Sequence, residues 1–249
     1  MSSIMTNVAA MTALKTLQQT NKALETTQSR ISTGYKVNDA ADNAAYWSIA
    51  TTMRSDNKAL GLGSAKVDVA YTGMNAAIKV VDEIKTKLVA AREPGVDRSK
   101  VQEEITQLQN QLVSITTAAA FSGENWLSVD SGDAAYSATK SIVASFNRSS
   151  AGTVSVSTVD IDISSTELFD AADQSGILDT TFTTTGVGAA TVSVSDLDIT
   201  AAGIDNTDID DMISNVDGAL ASMSTAAATL GAAKSRVSIQ KDFVGELMN

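Results

Sequence analysis

The sequence predicts an α+β protein in which both chain ends form a long antiparallel α-helical coiled-coil rod, with a small β-rich domain between them. Two hydrophobic repeats with a seven-residue period indicate the rod, because such a repeat keeps one helix face toward a neighbouring helix. The 249 residues include a single proline, so long uninterrupted helices are possible. The central segment instead alternates polar and apolar residues, as strands do.

Apolar residues at helical spacing, from Ile4 to Ile31, predict a first helix over about residues 5–33. Gly34 is expected to end this helix, since glycine adopts the left-handed conformation of many helix C-caps. A polar loop follows, and Asp42 is a predicted N-cap for the next helix. Residues 1–42 are therefore predicted to be one segment: a helix and its connecting loop.

The first seven-residue repeat predicts a long helix that reaches about Arg92. At 1.5 Å per residue, its roughly 50 residues would measure about 75 Å, which is long for a globular domain. Gly61-Leu62-Gly63 within it predicts close packing or local flexibility. The repeat consists of Leu60, Val67, Met74, Val81 and Leu88.

A third helix is predicted after the turn at Pro94-Gly95, with Ser99 and Gln102 at the spacing of a capping box. Its apolar positions alternate in steps of three and four, as expected of an antiparallel partner for the long helix. Those positions include Val101, Ile105, Leu108, Leu112 and Ile115. Residues 43–128 thus form the second predicted segment of the rod.

Residues 129–205 predict a small β-rich domain. The motif TVSVS occurs at Thr153–Ser157 and again at Thr191–Ser195, each time followed by a one-residue slip in the alternation. The repetition predicts related strands, and the slip predicts a β-bulge or a break.

The last segment, residues 206–249, is predicted to be a return helix with Asn206 or Thr207 as its N-cap. Its seven-residue repeat begins at Ile209 and is still running at the end of the sequence. The repeat continues through Val216, Met223, Leu230, Val237 and Val244. We expect these residues and those of the two preceding helices to form the packing and assembly seam.

Composition excludes several classes of function. The chain has no histidine and no cysteine, which excludes a Ser-His-Asp triad, thiol nucleophiles and thiolate metal sites. The acidic cluster Asp205–Asp211 lacks the ligand spacing of an EF-hand, and helix capping explains it better. No catalytic residue, cofactor or metal site is therefore predicted.

The charge distribution argues against nucleic acid as a partner. Residues 149–233 contain 13 acidic and no basic side chains, whereas nucleic acid requires a basic face. No segment is apolar enough to insert into a membrane, and Met1–Leu17 lacks the pattern of a secretory signal peptide.

One stretch of sequence resembles a known family. Ser29–Ala50, SRISTGYKVNDAADNAAYWSIA, is similar to the N-terminal signature of bacterial flagellins, with Ser32, Thr33, Gly34 and Asn38 at matching places. Further matches are Ala40, Asp42, Ala44, Ala45, Ile49 and Ala50, then the segments FSGENWL and LGAAKSRV. The resemblance covers about residues 1–130 and 208–249 and is closest to alphaproteobacterial flagellins.

The resemblance implies a structural subunit of the extracellular flagellar filament, the propeller for motility, with the central domain facing outward. It also implies that copies of the chain polymerise through their terminal helices. Flagellar cap, junction and export-chaperone proteins would be further partners, and export would need no cleaved signal peptide.

Two departures from the family pattern lead to further expectations. Flagellins usually continue beyond the Arg236–Met248 region by another long helix, so this sequence is expected to lack a terminal-helix segment. The stretch that plant immune receptors read in flagellins is altered here, and Pro94 breaks the pattern around the animal receptor site, so we expect weak innate immune recognition. The residues of the receptor-recognition-like stretch are Arg30, Ser32, Gly34, Asn38, Asp42, Asn43, Tyr46 and Trp47.

Two other functions remain open at this point. A flagellin-like hook–filament junction protein would share the terminal helices but would be scarce in sheared filaments. A coiled-coil surface adhesin would bind a glycan through its centre, although only 4% of residues are aromatic and could stack on sugar rings.

Overall fold

The computed structural model describes residues 7–34, 37, 43–148 and 154–247, which fall into two compact units. One unit holds the described residues up to Asn57 together with those from Phe243 onward, and the other is Lys58–Asp242. Helices predominate and the sheets are small, so the protein is α+β.

Four α-helices are present in the described residues: α1 Val8–Thr33, α2 Ala44–Ala91, α3 Arg98–Ala118 and α4 Asn206–Leu247. Gly34 ends α1 in the left-handed conformation, with φ at 70°, and donates its N–H to the Arg30 carbonyl. The predicted end of this helix is therefore found. Asn7, which the pattern did not single out, caps its start through the Ala10 N–H.

The N-caps of α3 and α4 differ from those predicted. At α2 the side chain of Asn43 accepts from the Tyr46 N–H, while the predicted cap Asp42 lies outside the described residues. At α3 the cap is Asp97, so the proposed capping box of Ser99 and Gln102 is wrong. At α4 Asp205 accepts from the N–H groups of Thr207 and Asp208, so the cap is neither Asn206 nor Thr207.

Within the unit Lys58–Asp242, α2 and α4 pack antiparallel. Three ion pairs join them: Asp68 with Lys234, Lys85 with Asp217, and Arg92 with Asp210. Along the three pairs, each step toward a higher residue number in α2 is matched by an equal step toward a lower number in α4. The two helices therefore keep one antiparallel register over this length. Helix α3 is also antiparallel to α2, which it contacts through the pair Lys87–Glu104.

In the part of the chain that the structure describes, eight strands form four two-stranded sheets. Only one sheet is long, the antiparallel pair of β4 Thr139–Arg148 and β5 Val154–Asp162. The others are two residues per strand: β1 Ala120–Phe121 with β2 Glu124–Asn125, β3 Ser128–Val129 with β6 Phe169–Asp170, and β7 Phe182–Thr183 with β8 Thr191–Val192. Pair β3–β6 is parallel and the rest are antiparallel.

The TVSVS repeat does not mark two equivalent strands. The described part of the first copy, Val154–Ser157, lies in β5, but the second copy contributes only Thr191 and Val192 to β8 before a 3₁₀ turn at Val194–Asp196. The predicted irregularity does occur at the first copy. The register shifts between Val143 and Ser145 of the partner strand β4, so the extra residue lies on β4 and β5 runs through.

The long hairpin packs on α2 at Gly63. Ile142 of β4 is 4% exposed, and a Cβ added to Gly63 would overlap its Cγ2 atom. Nothing lies within 4 Å of a Cβ added to Gly61. Gly63 is therefore the close-packing position of the Gly-Leu-Gly segment, and the side chain of Ile142 occupies the space that the missing Cβ leaves.

Candidate assembly surface

The seven-residue repeats lie in the interior of the helical layer. All five repeat residues of α2, from Leu60 to Leu88, are buried, as are the six of α4 from Ile209 to Val244. On α3, Ile105, Leu108 and Leu112 are buried, while Val101 and Ile115 are half-buried. One chain thus buries most of its own apolar seam, and this leaves other residues to contact further copies.

Helix α1, in contrast, leaves its apolar side chains exposed. None of its described residues is buried, and its apolar positions Val8, Met11, Leu14, Leu17, Leu24 and Ile31 are 56–78% exposed. At about 100° per residue this row winds around the 26-residue helix, and Leu14, Leu17, Leu24 and Ile31 lie within about 100° of one another, which makes the row a candidate interaction surface. We call this row the α1 stripe.

A shallow apolar groove of about 410 Å³ lies between α2 and α3. Its lining includes the small residues Gly73, Ala76, Ala118 and Ala119. Gly73 is needed for the close approach of the chain, since a Cβ there would lie 2.8 Å from Ala119 Cβ and Leu127 Cδ1. We call this surface the α2–α3 groove.

The acidic cluster at the start of α4 accepts hydrogen bonds from a neighbouring loop. Asp208 Oδ2 accepts from the N–H groups of Gly188 and Asp205, both at 3.0 Å. Asp211 Oδ2 accepts from the N–H and the hydroxyl of Thr185, at 2.6 and 2.7 Å. The loop Thr184–Ala190, which joins β7 and β8, is thereby fixed to the helix N-terminus.

These hydrogen bonds also set the protonation of the cluster. The Asp205 N–H, the Thr184 hydroxyl and the Gly188 N–H together lower the pKa of Asp208 to about 2. The Thr185 N–H and hydroxyl lower the pKa of Asp211. Both carboxylates are charged at neutral pH and interact with the positive end of α4.

Segment 194–206 is held along α3 by long-range hydrogen bonds of Gln102 and Arg98, which the sequence patterns did not predict. Gln102 donates to the Leu197 carbonyl and accepts from the Ile199 N–H, both at 2.9 Å. Arg98 donates to the Ile204 carbonyl and to Asn206 Oδ1. The Gln102 side chain thus binds a distant segment of the chain, whereas in a capping box it would have bonded to the backbone of its own helix N-terminus.

The buried carboxylate of Glu167, in the central segment, accepts a hydrogen bond from a tyrosine. Tyr136 donates its hydroxyl to Glu167 at 2.6 Å, and this carboxylate raises the pKa of Tyr136 to about 12. Burial raises the pKa of Glu167 itself. In the parts of the chain that the structure describes, no group of three or more acidic side chains is arranged to hold a metal ion. The described helices also include none long and apolar enough to cross a membrane.

The receptor-recognition-like stretch is only partly described. Arg30, Ser32 and Gly34 are exposed at the end of α1, and Asn38 and Asp42 lie outside the described residues. Asn43 is exposed while it caps α2. Tyr46 is 65% exposed and Trp47 36%, so these two aromatic rings are open to a partner.

Comparison with known proteins assigns the family. Residues 4–131 match the bacterial flagellin N-terminal helical region. Flagellin C of Rhizobium meliloti is 49% identical over an alignment that covers all of this chain and 84% of that protein. Flagellin A of the same species is 56% identical over 74% of this chain, and there the alignment spans only 48% of the relative.

A flagellin of Brucella melitensis is 40% identical across the whole chain and 82% of that protein. These relatives agree with the signature at Ser29–Ala50 and with the alphaproteobacterial character of the sequence. The chain belongs to the bacterial flagellin family.

Proposed function

We propose that this chain enters the flagellar filament as an antiparallel helical rod whose seam is closed within the subunit and whose α1 stripe is buried between subunits. As a flagellin, the chain is a structural subunit of the extracellular flagellar filament and not an enzyme. It acts by polymerisation, and copies of itself are its principal partner.

The seam supplies the rigidity of the proposed rod. Val67, Met74 and Leu88 of α2 have no measurable exposure, and neither have Val216 and Leu230 of α4. Fully burying an aliphatic side chain contributes about 1.5–3 kcal/mol, so eleven buried repeat residues on two helices contribute far more than surface ion pairs. We therefore assign the seam to the stability of the subunit.

The α1 stripe is the observation on which the assembly proposal rests. Burying six side chains of this size between subunits would contribute several kcal/mol per subunit, which is the scale that a stable polymer contact requires. Because the stripe is exposed in the single chain, its residues can be changed without opening a core. The stripe is thus separable by mutation from the seam.

The test compares Leu17→Asp, in the stripe, with Gln18→Asp, at the adjacent exposed position. Purified chains would be polymerised by salting out with ammonium sulfate, then analysed by sedimentation and electron microscopy. We expect wild type and Gln18→Asp to form filaments at similar critical concentrations, and Leu17→Asp to need at least tenfold more protein. Circular dichroism should show equal helix content in all three chains. Polymerisation of Leu17→Asp at the wild-type concentration would refute the role of the stripe.

The proposed segments of the rod are 1–42, 43–128 and 206–249, and the central domain 129–205 is proposed to face outward. Hairpin β4–β5 and the clasped loop 184–190 both belong to this central segment. Cap, junction and chaperone partners and weak recognition by immune receptors stay predictions from the family resemblance.

A further inference from the structure

We propose that three carboxyl groups of the central segment, those of Glu167, Asp170 and Asp179, form an acid-responsive latch that takes up protons on mild acidification and then holds this segment more firmly. We call these three residues the acid latch. They lie in the unit Lys58–Asp242. The latch is a property of the single chain and does not depend on the α1 stripe or on polymerisation.

The acid latch joins turns that are distant in sequence. Tyr136 donates its hydroxyl to Glu167 Oε1 at 2.6 Å, and Ser131 donates its N–H to Asp170 Oδ1 at 2.9 Å. These partners are 31 and 39 residues apart in the chain. Asp170 in turn donates its N–H to Asp179 Oδ2 at 2.7 Å. The protonation of these carboxyl groups therefore affects contacts that close the central segment.

One carboxyl oxygen of the acid latch is buried without a donor. Among the described residues, none donates a hydrogen bond to Asp179 Oδ1, although Oδ2 of the same side chain is bonded. A Cβ added to Gly176 would lie 2.6 Å from Asp179 Oδ1 and 2.5 Å from the Leu168 carbonyl oxygen, so both oxygens face one confined space. A charged oxygen is costly there, whereas a neutral carboxyl has an O–H that a carbonyl can accept.

The charges that surround Glu167 favour its neutral form. Burial raises the pKa of Glu167, and the Tyr136 hydroxyl opposes this effect. The charge of Asp170 and, from β5, that of Asp162 raise the pKa further, while Lys140 of β4 lowers it. Three more acids in the adjoining turns each accept an N–H of their own turn: Asp130, Asp133 and Asp173.

Asp170 and Asp179 differ in which form their surroundings favour. Burial raises the pKa of Asp179, and the charge of Asp170 adds to this effect against the opposing Asp170 N–H. Hydrogen bonds from Ser131, Ala172 and Ser175 hold the pKa of Asp170 well below its usual range. Asp170 therefore keeps its charge as the pH falls, while Asp179 and Glu167 take up protons.

The lack of histidine makes this response assignable. Histidine is the side chain whose ordinary pKa lies between about pH 5 and 8, and the chain has none. Ordinary Asp and Glu carboxyls take up protons near about pH 4. Glu167 and Asp179 are the acids in the described part of the chain whose pKa is raised. Proton uptake by side chains above the ordinary carboxyl range is therefore expected at the acid latch.

Proton uptake at the acid latch stabilises the folded chain, because the unfolded chain binds fewer protons at the same pH. A raised pKa means that the charged form is unfavourable in the folded state, and this penalty disappears as pH falls through the folded pKa. Asp170, whose pKa is lowered, loses its stabilising effect only below the ordinary range. Stability should therefore be greatest in mild acid. On the proposed function the central segment faces outward, so the latch would follow the pH of the medium.

Asp179→Asn tests the acid latch, because asparagine copies the shape of the neutral carboxyl and carries no charge. Thermal unfolding would be followed by Trp126 fluorescence in a Trp47→Phe background, between about pH 7.5 and 4.5. Trp126 is 3% exposed and precedes β3, which pairs with β6. We expect Asp179→Asn to melt at least about 2 °C above its parent at neutral pH, and this difference to shrink by more than half at the acidic end.

The matched control is Asp196→Asn, which removes one exposed acid of the same segment. Its melting temperature should stay within about 1 °C of the parent throughout the range. Glu167→Gln keeps an acceptor for the Tyr136 hydroxyl and should act in the same direction as Asp179→Asn. If neither Asp179→Asn nor Glu167→Gln melted above the parent at neutral pH, or if Asp196→Asn gave the same pH-dependent difference, the proposal would be overturned.

A second measurement needs no change in stability. In a chain with ¹³C-labelled aspartate carboxyls, we expect one resonance to titrate above the ordinary range near about pH 4 and to be missing from the Asp179→Asn spectrum. If every aspartate resonance of the wild-type chain titrated within or below that range, the acid latch would be refuted whatever the variants do. Both measurements use dilute monomer, so failure of the chain to polymerise would count against the proposed function alone.

Discussion

Replacing Gly63 by alanine should undock the β4–β5 hairpin, although the same change at Gly61 should stabilise the chain. Both glycines lie within α2, where alanine is favoured over glycine by about 1 kcal/mol. At Gly61 a Cβ meets nothing within 4 Å, so Gly61→Ala should gain most of that amount. At Gly63 the Cβ would overlap Ile142 Cγ2 and lie 3.2 Å from Ile142 Cβ, a strand atom that cannot rotate away.

The magnitude at Gly63 follows from these opposing effects. Overpacking of a tight core contact costs about 1–3 kcal/mol, and partial exposure of Ile142 adds to that cost. After subtraction of the helix gain, Gly63→Ala should lower the free energy of unfolding by about 1–2 kcal/mol. The two alanine variants should then differ from each other by about 2–3 kcal/mol.

The assay is urea unfolding followed by circular dichroism and by Trp126 fluorescence in a Trp47→Phe background. Trp126 is 3% exposed and lies in the same unit as Gly63, so its emission reports on that unit. The double variant Gly63→Ala/Ile142→Ala should be less unstable than the sum of its single changes, because the clash is removed. If Gly63→Ala proved as stable as Gly61→Ala, the proposed packing would be wrong.

Three further outcomes are expected. Met223→Ala, at a fully buried seam position, should lower the free energy of unfolding in the urea titration by about 2–5 kcal/mol. Val113→Ala, at the surface, should change it by less than about 0.5 kcal/mol. Asp208→Asn should lower the melting temperature at pH 7, since the folded pKa of about 2 lies below the ordinary 3.8. The charged Asp208 stabilises the fold fully above about pH 4 and loses this effect as pH falls through 2, so melting temperatures of variant and wild type should converge there. Gly34→Ala should raise amide hydrogen exchange over the last turn of α1, because φ of 70° strains any residue with a Cβ, and Gly34→Asn should raise it less.

The parts of the fold that follow from short-range pattern could be read from the sequence. The repeats at Leu60–Leu88 and Ile209–Val244 needed only a seven-residue period, and Gly34 needed only its place after the last apolar position. Burial at those positions could be predicted without knowing the partner helix, because an apolar helix face is buried in the folded chain. Family membership was equally accessible, since the Ser29–Ala50 signature is contiguous.

Residues whose partners are distant in sequence could not be placed in this way. Gln102 pairs with Ile199 and Asp211 with Thr185, and neither partner is marked by local spacing. One signal was available but unused: Asp205 and Asp208 stand at capping-box spacing, and Asp208 indeed accepts from the Asp205 N–H. The second TVSVS copy misled because alternation shows only compatibility with a strand, whereas tertiary contacts decided its conformation.

The common register of the three α2–α4 ion pairs has a mechanical consequence. If α4 slid along α2 by one residue, about 1.5 Å, it would separate all three pairs and misalign every seam residue at once. The next position at which apolar residues meet again is a whole heptad away, roughly 10 Å. Load along the helices is therefore shared by all contacts in parallel, so that a subunit under torque resists shear elastically until the whole seam gives way.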